Sequence, residues 1–124
     1  PILSLAPSLA SLELFDAVGM PVLIEKQQKI VSYLEHVLHD IDAQVASRFE
    51  IITPKDRGCQ LSVFLHGEGR ELFDYLMSHG VITDWREPNV IRLAPAPFYC
   101  SFEDMYRFGQ VLKAGILSKS SVAK

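Results

Sequence analysis

A chain of 124 residues, 48% hydrophobic, with 12 basic and 15 acidic side chains for a net charge of −3, is the size of one folded domain and too apolar for general disorder. At this length roughly two thirds of the unfolded surface can be buried, enough for a real core. With no basic stripe, nucleic acid is not an expected partner, and with no apolar run near the ~18 residues of a bilayer crossing, neither is a membrane.

The opening "PILSLAPSLASLE" could pass for the core of a signal peptide, but it has no basic start and Pro7 interrupts it. The chain opens on Pro-Ile-Leu without a methionine and is read as starting inside a fold, as part of a longer protein. Residues 7–18 are predicted helical, with Pro7 at the first position and Gly19 as the stop. Pro21 starts a second helix to about Gln44, whose apolar face is Ile30, Leu34, Val37, Leu38 and Ile41.

After Arg48 the period changes. "FEIIT" (49–53) is a predicted strand and "PKDRG" a turn-rich loop. "CQLSVFL" (59–65) is a strand with Leu61, Val63 and Leu65 on one face. "EGRELFDYLMSH" (68–79) is a helix closed by Gly80. "VITDW" (81–85) and "NVIRLA" (89–94) are strands joined by a tight turn through Glu87, Pro88 and Asn89. Ser101 caps a last helix, which has Glu103 and Asp104 in its first turn and Met105, Phe108, Leu112 and Ile116 on one stripe.

This ααβ–βαββα order predicts an α+β fold, a small antiparallel or mixed sheet covered by helices. Three parts are expected: helical linker 1–48, a small βαββα domain 49–117, and a polar tail 118–124.

Chemistry is sparse. His36 and His39 lie three apart on a helix beside Glu35 and Asp40, a spacing that suits a metal, but no third ligand is placed and both face away from the apolar stripe. "HGEG" (66–69) puts glycines ahead of a helix N-terminus, a weak phosphate signal. Cys100 precedes a helix N-terminus with no histidine beside it, and Cys59 falls in a predicted strand. Two thiols without a C-x-x-C pair fit a reducing compartment, so a cytoplasmic location is expected. Lys26, Lys29, Lys55, Lys113, Lys119 and Lys124 have no buried context that would depress their pKa. No catalytic, cofactor-binding or metal site is complete in this chain.

Arg92 stands apart, a charge inside the apolar run Val90-Ile91-Arg92-Leu93-Ala94-Pro95. Alternation puts it on the face of Val90 and Ala94, opposite Ile91 and Leu93. Pro95 and Pro97 end the ladder just beyond it. Two anions can satisfy it: an internal acid such as Asp84 or Glu87, or an external carboxylate held by the guanidinium fork. The spacing does not choose.

Three segments go further. Arg57-Gly58-Cys59-Gln60-Leu61-Ser62, Asp84-Trp85-Arg86-Glu87-Pro88-Asn89, and Ile91-Arg92-Leu93-Ala94-Pro95 with Phe98-Tyr99 and Ser101-Phe102 resemble the C-terminal part of the kynureninases. The likeness runs from the first residues to about Leu117. It implies the small C-terminal domain of a fold-type-I architecture, the pyridoxal 5'-phosphate (PLP) aminotransferase type. It implies a cytosolic homodimer that hydrolyses L-kynurenine to anthranilate and L-alanine in tryptophan catabolism, the kynurenine pathway and NAD biosynthesis. It gives Arg92 the substrate's α-carboxylate. The cofactor lysine, the aspartate facing its ring and the phosphate ligands would lie upstream, in a large domain partnering this one, so the chain alone is expected to be inactive. A domain cut from that partner should leave Pro1–Leu12 and part of the second helix uncovered. The residues leave two rivals: the small domain of a cysteine-desulfurase-like enzyme, and a free-standing α+β binding or dimerisation module.

Overall fold

Alternation along the strands decides which side chains make the core. In the computed structural model, which describes residues 1–45, 48–67 and 69–120, the chain runs α1 (Ile2–Val18), α2 (Met20–Gln44), β1 (Phe49–Ile51), β2 (Leu61–Leu65), α3 (Gly69–Ser78), β3 (Asp84–Arg86), β4 (Val90–Leu93) and α4 (Phe102–Ser120). The strands form one antiparallel sheet in the order β1-β2-β4-β3. This is the expected α+β layer.

One sheet face carries Phe49, Leu61, Val63, Leu65, Ile91 and Leu93, all buried. Against it pack Ile30, Leu34, Leu38 and Ile41 of α2, Leu72 and Leu76 of α3, and Met105, Phe108, Leu112 and Ile116 of α4. The predicted stripes therefore make the core, with Val37 of the α2 stripe only partly buried against it, and the stripe of α2 faces the sheet because its apolar residues recur at three and four.

Helix ends follow local chemistry. The Ser101 hydroxyl accepts from Asp104 N–H at 3.2 Å, while Ser101 N–H donates to the Asp104 carboxylate at 2.7 Å, a reciprocal cap. At the end of α3, Gly80 N–H donates to Met77 O and Val81 N–H to Leu76 O, with Gly80 at φ 79°. That left-handed turn satisfies two terminal carbonyls and favours glycine.

Several boundaries differ from expectation. Helix α1 begins at Ile2, so Pro7 lies inside it rather than at its first position. Pro7 has no N–H for the Leu3 carbonyl, but Leu3 is 91% exposed and water can take that place. Cys59 precedes β2 instead of lying in it, and Val81–Thr83 lead into β3 without joining the ladder. Helix α4 continues through residues 118–120 of the expected tail; 121–124, and Glu68 of the glycine loop, lie outside the described residues.

Helices α2 and α4 approach closely at Gly109. A Cβ there would stand 2.5 Å from Val37 Cγ1. Valine in a helix has essentially one χ1 rotamer, so it cannot swing aside. Gly109→Ala is expected to destabilise the fold by about 1–3 kcal/mol through overpacking, offset in part by up to about 1 kcal/mol of helix propensity. Urea unfolding measures this. The double variant Gly109→Ala, Val37→Ala should be no less stable than Val37→Ala alone, and a double variant that simply adds both losses argues against the clash.

Candidate functional site

The sheet face turned away from the helices is uncovered by any described element. Its residues lie in two rows across the strands. One row runs Glu50, Phe64, Val90, Arg86; the other runs Ser62, Arg92, Asp84. Arg92 thus sits on a central strand, with Ser62 and Asp84 as its direct cross-strand neighbours. Alternation requires this, because Ile91 and Leu93 are committed to the core.

Asp84 is an internal partner for Arg92. Arg92 Nε donates to Asp84 Oδ2 at 2.6 Å, and Arg92 Nη2 donates to the same oxygen. Arg86 Nε reaches that oxygen from the other side at 3.2 Å. The pair is not enclosed: the Arg92 side chain is 32% exposed and that of Asp84 48%. The hydrogen bonds from Arg92, against the opposing effect of burial and with help from the charge of Arg86, hold the Asp84 carboxyl below its usual value. Two guanidiniums and one carboxylate leave one positive charge in excess. Glu87, the other acid considered, accepts from Trp85 Nε1 at 2.8 Å instead.

A guanidinium has two edges that can grip a carboxylate, and Asp84 takes only the Nε–Nη2 edge. Among the described residues no hydrogen bond reaches Arg92 Nη1. The Nη1–Nη2 edge remains available on an open face. Ser62, whose N–H donates to Thr53 at 2.6 Å, sets a hydroxyl-bearing side chain on the other side of Arg92.

The remaining candidates are scattered. His36 and His39 are exposed on α2, and among the described residues no group of three or more His, Cys, Asp or Glu is arranged for a metal. His79 stacks on Tyr75 at 3.9 Å, with Nδ1 2.8 Å from the Tyr75 carbonyl, at the end of α3. His66 lies edge-on to Phe64. Cys59 and Cys100 are free thiols, half-buried against the core. Lys29 pairs with Glu25 on the surface, Lys26 donates to the Pro97 carbonyl, and Lys113 donates to Gln44. Each of these three lysines is held by an acceptor of this chain.

Two features escaped the sequence. Arg57, 13% exposed, is paired with Glu35 of α2 and donates from Nη1 to the Pro54 carbonyl at 2.8 Å, which ties the 54–58 loop to the helix. Arg86 shares Asp84 with Arg92; its spacing of two from Asp84 on a strand was the signal that could have found it. A cleft of about 690 Å³ lies on the helical side, lined by Val81, Thr83, Pro95, Met105 and Val111, but Arg92 is not part of it.

Residues 24–112 match the family described as Kynureninase C-terminal domain. The chain is 79% identical over 122 residues to a kynureninase of Christiangramia forsetii, covering 96% of this chain and 29% of the relative. It is 70% identical over 122 residues to a kynureninase of Flavobacterium johnsoniae, with the same coverage. The chain thus spans less than a third of these relatives. In fold it is similar to a Rhodiola rosea 4-hydroxyphenylacetaldehyde synthase, with TM-score 0.60 and 19% identity over 83% of this chain and 24% of that one. It is also similar to an Oryza sativa TDC solved with PLP and tryptamine, with TM-score 0.61 and 14% identity over 85% of this chain and 25% of that one. Among the described residues no single helix is long and apolar enough to cross a membrane; the α1–α2 pair, bent by 83°, has the length and composition only when taken together.

Proposed function

The chain belongs to the kynureninase family, through its C-terminal domain, and we propose that it forms one wall of an active site that hydrolyses L-kynurenine to anthranilate and L-alanine. Of the three readings left by the residues, the family match supports the first. The observation that carries the proposal is the Nη1–Nη2 edge of Arg92, turned away from Asp84 on an open sheet face, with no partner on Nη1 among the described residues. Two parallel N–H groups match the two oxygens of an α-carboxylate. Such a fork fixes both the position and the rotation of the bound amino acid, converting binding into orientation of the bond to be broken. The excess positive charge on Arg92, Asp84 and Arg86 favours an anionic group there.

The opposite wall, the PLP and its lysine belong in this proposal to a large domain of the same protein, outside these residues. No step is assigned to the lysines of this chain. The protein acts as a cytoplasmic homodimer in tryptophan catabolism and NAD biosynthesis, and the uncovered apolar surface of α1 meets the rest of the protein.

The full-length protein bearing this segment, supplied with PLP, is expected to release anthranilate from L-kynurenine, read by its fluorescence. The 124-residue chain alone is expected to show neither turnover nor a Schiff-base absorption band. A full-length protein inert toward L-kynurenine, or an active isolated chain, overturns the proposal.

A further inference from the structure

We infer that Asp84 is a positioning residue that grips Arg92 by its Nε–Nη2 edge so that the Nη1–Nη2 edge is held out toward a ligand carboxylate. This rests on the reading of Arg92 given above.

Three observations combine. The first is register: Asp84 and Arg92 are direct partners across β3 and β4, so both side chains leave the same face at the same level. The second is the choice of edge. Both hydrogen bonds from Arg92 end on Oδ2, which lies beside Nε and Nη2 and leaves the far edge open. An acid that merely neutralised the arginine could equally take the far edge and close the site. The third is Arg86, whose Nε approaches Oδ2 from the neighbouring position on β3. It shares the carboxylate oxygen with Arg92 and restores the positive charge that Asp84 would otherwise cancel. Arginine has several freely rotating bonds, and among the described residues Asp84 is the partner seen to hydrogen-bond it. Asp84 confines the guanidinium before a ligand arrives, so less ordering remains for the binding step.

The contrary role is competition. A carboxylate next to the site repels an incoming carboxylate, and its removal would then tighten binding. The two roles predict opposite signs.

The test uses full-length holoenzyme and L-kynurenine. Asp84→Ala is expected to lower kcat/KM about tenfold, mainly through a raised KM, because the binding step must then order the guanidinium itself. Asp84→Asn keeps an oxygen acceptor at the same place and should recover part of the loss. In an Arg92→Ala background, Asp84→Ala should add nothing, since Asp84 acts only through the arginine. Melting temperatures of the Asp84 variants should stay near that of the parent, as for an exposed pair. An Asp84→Ala enzyme with unchanged or improved KM overturns the inference, as does a loss that persists in the Arg92→Ala background. Arg92→Ala with unchanged kinetics overturns the reading of Arg92 itself, so the two failures are told apart.

Discussion

Arg92→Ala in the full-length enzyme is expected to lower kcat/KM for L-kynurenine about a hundredfold. A hydrogen bond to a charged group contributes ~1.5–3 kcal/mol, and the upper end is appropriate to a two-pronged carboxylate contact, which converts to that factor in rate. Arg92→Lys should fall between, because lysine keeps the charge but has no planar fork to fix rotation. Folding is a poor alternative explanation for such a loss. Arg92 lies on the uncovered face, outside the core formed by α2, α3, α4 and the inner sheet face, and exposed ion pairs contribute little to stability. A melting curve close to the parent's, with kcat/KM collapsed, is the expected pair of results. Parent-like kinetics in Arg92→Ala would remove this side chain from the proposed carboxylate site and leave the proposed activity without a residue in this domain to carry it.

How much of this could be read from the residues differs from element to element. The inner sheet face was legible because Leu61, Val63, Leu65 and Ile91, Leu93 alternate strictly, and a slip by one would bury Arg92 and Ser62. Helix α2 was legible from its stripe. The start of α1 was not: proline is favoured at a first turn, and that rule outweighed the apolar run before it, although an exposed helix tolerates an interior proline. The partner of Arg92 was half legible. A hairpin centred on Pro88 pairs residue 86 with 90, 85 with 91 and 84 with 92, so the turn already selects Asp84 over Glu87. What no periodicity reveals is which edge of a guanidinium an acid will take. Nor does it distinguish a polar sheet face meant for water from one meant for another wall of a site, since both read as the same alternation.

Helix α1 makes the second large prediction: the isolated chain will self-associate as its concentration rises. Residues 2–12 carry no charge at all. Ile2, Leu3, Leu5, Leu9, Leu12 and Leu14 are 59% exposed or more, and the helix is held to the rest of the chain near its end, where Phe15 meets Phe98 edge-on at 4.9 Å. Beside it a cleft of about 450 Å³, lined by Leu14, Met20, Ile24, Pro97 and Tyr99, is left without an occupant among the described residues. Fully burying one such side chain is worth ~1.5–3 kcal/mol. Covering even four of them exceeds the low end of what association of two molecules costs, ~4 kcal/mol. Light scattering across a dilution series should therefore show a mass that rises with concentration. The substitutions Leu5→Glu, Leu9→Glu and Leu12→Glu together place three charges along one face of the helix and should leave a monomer. In the full-length protein the same three changes should lower the melting temperature, because in the proposed assembly the rest of the protein covers this face and a buried carboxylate without a partner is expensive. A wild-type chain that stays monomeric at high concentration, and a full-length protein indifferent to three glutamates in α1, would mean that this surface meets only water.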